Sequence, residues 1–428
     1  MNSHPLRFVC LSFLFLIGCC FISCSSKYGI SNPNALASIQ IVDRNGLSET
    51  ITTKERLKQF SKTNFLSSHP YKKVTRKYGK NLEGNSRGFI TAYHPNGQVY
   101  QYLETLNSRA HGIYREWHSN GKLKIDALIV GGVSDLTPAA QESWLFDGTS
   151  EAYDENGNIT AMIHYSKGEL EGPSTYYHSN GKVWKVLPYH KGEINGSVET
   201  FQSNGSLLQK NHYANDLLDG PSQRFWSEDT LASEESYQAG LLRSGKYYDS
   251  TSRLLSEVID GNGQRLLFGK SSAVEYHDYV NGKQEGSIRI FDEDGKHILK
   301  IYYVKDNMKN GEEVEYYYPS LQPKISINWY NDSIQGTVKT WYPTGNLESQ
   351  REINQNKKHG LSTAWYADGS LMLIEEYDRD ILIKGDYFRR GESAIVSRII
   401  NGEGTSTLFD SNGQFLKRVQ YQNGKPSE

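Results

Sequence analysis

Residues 172 to 183 read Gly172-Pro-Ser-Thr-Tyr-Tyr177-His-Ser-Asn180-Gly181-Lys-Val183, and residues 112 to 123 read Gly112-Ile-Tyr-Arg-Glu-Trp117-His-Ser-Asn120-Gly121-Lys-Leu123. In both stretches an aromatic follows a leading glycine after five positions, and a second glycine follows it after nine. This spacing occurs nine times. The leading glycines are Gly88, Gly112, Gly148, Gly172, Gly196, Gly286, Gly336, Gly360 and Gly404. The aromatics are Tyr93, Trp117, Tyr153, Tyr177, Phe201, Phe291, Trp341, Trp365 and Phe409. The second glycines are Gly97, Gly121, Gly157, Gly181, Gly205, Gly295, Gly345, Gly369 and Gly413.

The repeat has a period of 24 to 25 residues, which incomplete copies at Gly220, Gly245, Gly311 and Gly385 maintain. Asn or Asp precedes most of the second glycines, and such pairs tolerate the positive φ angles of tight hairpin turns. We therefore predict a hairpin tip at each second glycine. A further aromatic lies seven or eight residues before the next leading glycine, which indicates two strands per repeat; these aromatics are Tyr165, Tyr189, Tyr213, Tyr279, Tyr303, Trp329 and Tyr377.

The composition agrees with strands punctuated by turns, because 29 Tyr, 15 Phe, 7 Trp and 39 Gly accompany only 4 Met and 12 Pro. The predicted fold class is all-β: an elongated antiparallel meander or solenoid of repeated β-hairpins, with at most one short helix near the N-terminus. A single two-stranded hairpin is marginally stable in water, so the array must fold as a unit. The parity of polar and apolar residues along the first strand leaves open which sheet face is the core.

Residues with this spacing resemble the bacterial variant of the MORN repeat, from about Gly88 to Glu428. The resemblance implies a single-sheet array that holds partners, with membrane association proposed for some members. Some bacterial chains of this variant carry an antitoxin label, which fits poorly with the export signal described below.

The predicted domain organisation is a signal peptide at 1–18, a tether at 19–38, a strand and helix cap at 39–87 and the repeat array at 88–428. Within the array we expect a protruding insertion at about 127–144 and degenerate units at about 220–285. Thr52-Thr-Lys-Glu55 has the form of a capping box, which predicts a helix from Thr53 to Phe60.

The N-terminus is typical of an exported lipoprotein. An apolar run from Phe8 to Ile17 is too short for a comfortable membrane span, and Leu16-Ile-Gly-Cys19 resembles a lipobox. We expect lipidation at Cys19, with Cys24 as the alternative, and anchoring of the exported protein at the bacterial cell envelope, in a leaflet left open. All 4 cysteines lie in this leader, so the body has no thiol for catalysis or metal binding.

A local basic cluster comprises Lys72, Lys73, Arg76, Lys77 and Lys80. One interpretation is a solvated edge strand, since lysines protect sheet edges from pairing. The other is a contact with anionic lipid or an acidic partner.

No motif predicts catalysis, a metal or a cofactor. His94, His118 and His178 each follow a repeat aromatic, which indicates a shared structural role without the partner spacing of a metal site. Lys plus Arg is 47 and Asp plus Glu is 49, which disfavours nucleic-acid binding.

The predicted function is therefore a non-catalytic surface that binds or scaffolds a protein partner. The alternative is binding of a cell-envelope glycan through exposed aromatics such as Trp117, Tyr177, Trp341 and Trp365. The second alternative is an antitoxin-like cytosolic inhibitor of a partner protein.

Overall fold

The computed structural model describes residues 36–427, which form two compact units, 36–146 and 147–427. The predicted signal peptide and the two candidate lipidation residues, Cys19 and Cys24, lie outside the described residues. The first strand begins at Leu36, so the last three residues of the predicted tether belong to a strand.

The first unit is an antiparallel sheet with two short helices. Its strands follow the order β2-β1-β3-β4-β5-β6-β7. The elements are β1 (Leu36–Asp43), β2 (Ser48–Ile51), α1 (Lys54–Phe60), β3 (Lys72–Lys80), β4 (Ser86–Tyr93), β5 (Val99–Leu106), β6 (Arg109–Trp117), β7 (Leu123–Gly131) and α2 (Pro138–Gln141).

The basic cluster lies on an interior strand. β3 pairs with β1 on one side and with β4 on the other, so the expectation of an edge strand is wrong. Arg76 forms an ion pair of 3.2 Å with Asp135, whereas Lys73 is exposed.

Helix α1 lies where the sequence predicts one, but the capping box does not form. Thr53 is the N-cap residue and its side chain makes no capping hydrogen bond. The helix is held instead by Leu57, which is buried against Leu36, Ile39 and Ile51. Burial of an apolar face, more than local propensity, stabilises a helix this short.

The insertion after β7 packs back onto the sheet, so the expectation that it protrudes is wrong. It begins at Gly132 and contains α2, a second helix beyond the one that the sequence predicts. Trp144 at its end is 5% exposed, lies 4.8 Å from the ring of Tyr114, and donates from Nε1 to the carbonyl of Val133. Burial of this indole side chain contributes to holding the loop against the sheet.

The second unit is an antiparallel meander in which successive long strands pair with each other, and the two-residue strands β10, β13 and β24 extend single pairings. Its strands are β8 (Leu145–Tyr153), β9 (Ile159–Ser166), β10 (Glu169–Leu170), β11 (Gly172–Tyr177), β12 (Val183–His190), β13 (Glu193–Ile194), β14 (Gly196–Phe201), β15 (Leu207–Ala214), β16 (Leu217–Ser227), β17 (Thr230–Gln238), β18 (Leu241–Tyr248), β19 (Leu254–Ile259), β20 (Asn262–Phe268), β21 (Ala273–Val280), β22 (Lys283–Phe291), β23 (Ile298–Lys305), β24 (Met308–Lys309), β25 (Gly311–Tyr316), β26 (Pro323–Tyr330), β27 (Ser333–Trp341), β28 (Leu347–Asn354), β29 (Lys357–Trp365), β30 (Leu371–Asp378), β31 (Ile381–Phe388), β32 (Ile395–Ile400), β33 (Glu403–Phe409), β34 (Phe415–Gln422) and β35 (Lys425–Pro426). The predicted all-β class of repeated hairpins is confirmed.

Pairing across the hairpins identifies the buried face. Tyr189 lies directly opposite the leading glycine Gly172, and Tyr213 lies opposite Gly196. Directly paired residues share one face of the sheet, and the residue two positions beyond the glycine lies on that same face. This residue is buried in most repeats, as at Ile90, Tyr114, Ser174, Val198, Ser222, Ile288, Glu313, Ser362 and Ser406. We call this side of the sheet the glycine face.

Two turn types alternate along the array. At the predicted tips, Gly181 N donates to His178 O and His178 N donates to Lys182 O, and only the glycine has a positive φ, of 80°. This is a type I turn closed by a glycine bulge. At the opposite edge, Asn215 and Asp216 both have positive φ, 50° and 64°, between the paired residues Ala214 and Leu217. These two-residue loops are type I′ turns, whose twist matches that of the strands.

The degenerate region contains closely stacked turns. Gly282 N donates to Gly261 O at 2.8 Å, and Gly261 N donates to Arg243 O at 2.8 Å. The same arrangement recurs about 140 residues later, where Gly424 N donates to Gly402 O and Gly402 N donates to Ile383 O. In both regions one further bond skips a turn, since Leu242 N donates to Gly282 O at 3.2 Å and Leu382 N donates to Gly424 O at 3.1 Å, and this contact requires the sheet to curl. The two curled segments enclose separate apolar clusters around Leu242 and Leu382.

Candidate interaction surface

Hydrogen bonds between hairpin tips link successive repeats. In several repeats the residue after the aromatic donates to a carbonyl of the next repeat's aromatic: His94 Nε2 donates to Trp117 O at 2.8 Å and His178 Nε2 to Phe201 O at 3.0 Å. Tyrosine takes the same role elsewhere, as the hydroxyl of Tyr342 donates to Trp365 O at 2.8 Å. His118 occupies the equivalent position of its own repeat. In residues 36–427, no group of three or more His, Cys, Asp or Glu is placed to hold a metal ion.

The second glycines lie at the hairpin tips, whereas of the nine leading glycines only Gly172 and Gly196 begin a strand and the others lie inside one. All nine second glycines have φ between 67° and 94°, which L side chains rarely adopt. Eight of the nine leading glycines also have positive φ, between 69° and 136°, and Gly88 is the exception. Both sets of glycines therefore shape the backbone of each repeat and carry no side-chain chemistry.

The repeat aromatics are less exposed than stacking on a glycan would require. Tyr93 and Phe409 are buried, and the other seven are half-buried. The expectation that Trp117, Tyr177, Trp341 and Trp365 are exposed is therefore wrong. The pairing register of the strand shifts just before the repeat aromatic, as between Tyr176 and Tyr177. Equivalent shifts occur in other repeats. Such a bulge bends the strand and re-aims its side chain.

Two buried carboxylates occupy equivalent places in the curled segments, on the glycine face. Glu235 accepts from the hydroxyls of Tyr237 and Tyr247, each at 2.9 Å, and from Arg265 Nε at 2.7 Å. Glu375 accepts from Tyr377 at 2.9 Å and Tyr387 at 2.8 Å. Burial raises the pKa of these tyrosine hydroxyls well above the ordinary value, and the neighbouring carboxylate raises it further.

Each curled segment also forms an open groove. Groove 1 has a volume of about 470 Å³, and its lining includes Pro221, Glu234, Lys246, Glu257, Ile259 and Asp260. Groove 2 has a volume of about 290 Å³, and its lining includes Leu361, Ile374, Glu376, Lys384, Arg398 and Ile400. Gly245 and Gly385 occupy equivalent places in the two grooves. The grooves are thus two copies of one architecture with different side chains.

Groove 2 has an exposed apolar rim. Leu361 is 51% exposed, Ile374 is 38% exposed and Ile400 is 56% exposed. Its charges pair with one another, as Lys384 contacts Glu376 at 3.1 Å and Arg398 contacts Asp386 at 2.6 Å.

Groove 1 is acidic by comparison. It presents Glu234, Glu257 and Asp260 beside one cation, Lys246, and Ile259 is 59% exposed.

Sequence reasoning missed both grooves. Their signal is the pair of incomplete repeats at Gly245 and Gly385, which lie 140 residues apart.

No helix among the described residues is long and apolar enough to cross a membrane.

A family model for the MORN repeat variant matches residues 110–128, 146–167, 170–191 and 334–355. The match at 170–191 covers β11, the tip at Gly181 and β12. No curated protein matches the chain.

Among solved structures, a crystal structure of TcdB2-TccC3 is similar to 81% of this chain, with 11% sequence identity and a TM-score of 0.16. The chain spans 23% of the length of that matched chain.

Proposed function

We propose that this chain is a non-catalytic scaffold that binds a partner protein and is held at the bacterial cell envelope by a lipid on Cys19, with Cys24 as the alternative. The MORN-type repeats support a binding or scaffolding role. The observation that carries the proposal is the exposed apolar rim of groove 2, formed by Leu361, Ile374 and Ile400. Contiguous exposed aliphatic side chains are typical of interaction sites.

An extended segment of a partner is the best fit to groove 2. Cross-strand ion pairs already satisfy its charges, so the apolar rim supplies the favourable contact. Apolar side chains at alternate positions of an extended peptide would reach Leu361 and Ile400 across the groove, and truncating such anchors costs the most binding energy. Groove 1, with its excess of carboxylates, would favour a basic segment instead.

Absence of catalysis is part of the proposal. Two of the buried ionisable groups, Glu235 and Glu375, accept hydrogen bonds from neighbouring tyrosine hydroxyls. Function has to be argued from a site, and both carboxylates are buried and already hydrogen-bonded where they line the grooves.

Site-specific photo-cross-linking tests partner binding at groove 2. A photoreactive residue at Leu361 should capture one defined protein, and Ile400→Asp should reduce that capture at least tenfold. The matched control is Ile395→Asp, which also places a charge on an isoleucine 41% exposed but outside the groove lining, and it should leave capture unchanged. Equal capture in all three forms would remove groove 2 from the proposal.

Intact mass and membrane partition test the anchor. Of the variants Cys19→Ala and Cys24→Ala, Cys19→Ala should lose the acyl mass and leave the membrane fraction. If neither natural chain nor variant is acylated or exported, the envelope location fails and the cytosolic, antitoxin-like alternative takes its place.

A second candidate function is glycan binding, and Trp184 is the residue that favours it. Trp184 is 46% exposed and is flanked by Tyr176 and His178, with ring centroids 6.4 Å from each. An envelope-polysaccharide pull-down that is lost on Trp184→Ala would support it. Retention of binding in that variant would count against aromatic stacking at this place.

A further inference from the structure

The loop between α1 and β3 folds back over the sheet of the first unit. The hydroxyl of Tyr93 donates to the carbonyl of Phe65 at 2.8 Å, and His69 N donates to Gly97 O at 2.8 Å. The rings of His69 and Tyr93 also meet edge to face at 5.4 Å. The loop is therefore held to the sheet at several points, and the space beneath it is preformed.

A cleft of about 220 Å³ lies between this loop and the sheet. Its apolar walls are Phe65, Phe89 and Tyr102, and the last two rings lie nearly parallel with centroids 6.2 Å apart. At about 30 Å³ per water molecule, the volume equals roughly seven waters. Aromatic walls with a few convergent polar groups are typical of sites for small organic ligands.

The polar side chains that line the cleft are Thr63, Asn64, Thr75, Lys77 and Thr91. Lys77 is half-buried, and burial lowers the pKa of its ammonium group. Within residues 36–427 no carboxylate lies within 4.0 Å of that group, whereas the adjacent Arg76 pairs with Asp135. A partly desolvated cation without a counter-ion is unfavourable, and an anion in the cleft would remove that cost.

We propose that this cleft binds a small organic anion with a planar aromatic body and a single carboxylate. The carboxylate accepts hydrogen bonds from the Lys77 ammonium and a threonine hydroxyl, and the ring lies among Phe65, Phe89 and Tyr102. A cationic ligand is disfavoured because it would meet the positive charge of Lys77 in a partly desolvated site. The proposal is independent of the grooves in the second unit.

Calorimetry on the full chain tests the inference with 3-phenylpropionate as the probe and its neutral analogue, 3-phenylpropionamide, as the comparison. We expect saturable binding of the acid, and at least tenfold weaker binding of the amide, because one charge-assisted hydrogen bond is worth at least about 1.4 kcal/mol. Equal affinities for acid and amide, or no saturable binding of the acid, would overturn the proposal. This comparison needs no variant and so does not depend on the folding of one.

Two lysine variants on the same strand locate the anion. Lys77→Met should weaken binding of 3-phenylpropionate at least tenfold. Lys73→Met removes the same charge from an exposed position of β3 outside the cleft, and should change the affinity less than twofold. If both variants lose affinity equally, the effect is general electrostatic attraction and the site is wrong.

Discussion

The hydroxyl of Tyr387 donates a hydrogen bond of 2.8 Å to Oε1 of Glu375, and Tyr247 makes the same bond at 2.9 Å to Glu235. The two clusters differ in their donors. Glu235 is also bound by Arg265, whereas Glu375 accepts only from Tyr377 and Tyr387 in the described structure. The two carboxylates occupy equivalent positions in the chain, but Glu235 has more hydrogen-bond donors than Glu375.

Tyr387→Phe should therefore destabilise the second unit by about 1–3 kcal/mol, the cost of leaving a buried charged acceptor short of a donor. Tyr247→Phe should cost less, because Arg265 still compensates Glu235. Tyr303→Phe is the control, since Tyr303 is 44% exposed. Urea unfolding monitored by tyrosine and tryptophan fluorescence would measure the three changes. A larger loss for Tyr247→Phe than for Tyr387→Phe would contradict the proposed role of Arg265.

Buried tyrosines predict a loss of stability at alkaline pH. Burial raises the pKa of Tyr93 and of Tyr366 from 10.0 to about 12. Below pH 10 both hydroxyls keep their protons in the folded and unfolded states, so their contribution is fully present. Between pH 10 and pH 12 the unfolded chain releases protons that the folded chain retains, so stability falls as pH rises.

The expected slope in that window is about 1.4 kcal/mol per pH unit for each such tyrosine. Urea midpoints measured at pH 8, 9.5, 10.5 and 11.5 would show it. The double variant Tyr93→Phe and Tyr366→Phe should reduce the pH slope of the unfolding free energy by the contribution of two tyrosines. An unchanged slope would mean that other groups govern the alkaline transition.

The sequence predicted the repeats and their tips because the turn chemistry at Asn180-Gly181 and its equivalents is local. It could not assign the buried face. The repeat aromatic, such as Trp341, shares its parity with polar residues, and the deciding contact lies across the strand pair, as between Tyr189 and Gly172. Register between strands is a tertiary property that spacing along one strand does not contain.

The candidate sites were harder to predict than the fold. Groove 2 depends on stacking of the turns at Gly402 and Gly424, and the cleft depends on a loop that Tyr93 holds through the carbonyl of Phe65. Both combine residues far apart in sequence. The sequence did indicate the basic cluster that contains Lys77, although not that the strand is interior or that Arg76 alone is paired within 4.0 Å in the described structure.

Gly97→Ala should be more damaging than Gly121→Ala, although both glycines end a His-x-Asn-Gly tip. Both have similar φ, 87° and 83°, so each variant has the strain of a left-handed alanine, about 1–2 kcal/mol. At Gly97 a Cβ would also lie 2.7 Å from Cα of Pro70, whereas at Gly121 the nearest atom is a Gln98 side-chain oxygen at 3.7 Å.

The extra cost at Gly97 should appear as displacement of the loop that carries Pro70 and His69. Amide hydrogen exchange of residues 61–71 would increase in Gly97→Ala and stay unchanged in Gly121→Ala. Equal exchange in the two variants would show that the loop does not depend on its close approach to this tip.

Asp380 closes a type I′ turn and joins two repeats at the same time. Its φ is 69°, and its Oδ1 accepts a hydrogen bond of 2.8 Å from the backbone N–H of Lys358. The backbone N–H of Ile334 donates the equivalent hydrogen bond, of 2.7 Å, to the side-chain oxygen of Asn356. An amide oxygen therefore performs the same role elsewhere in the chain. Asp380→Asn should therefore be neutral within about 0.5 kcal/mol.

Two further substitutions separate the backbone contribution from the hydrogen bond. Asp380→Gly keeps the freedom to adopt positive φ but loses the acceptor, at a cost of about 1 kcal/mol. Asp380→Ala loses the acceptor and also adopts a strained φ, which adds about 1–2 kcal/mol. Amide exchange at Lys358 should increase in both variants but not in Asp380→Asn, since only the amide variant still satisfies that N–H. Protection of Lys358 in Asp380→Gly would show that the turn backbone alone holds neighbouring repeats together.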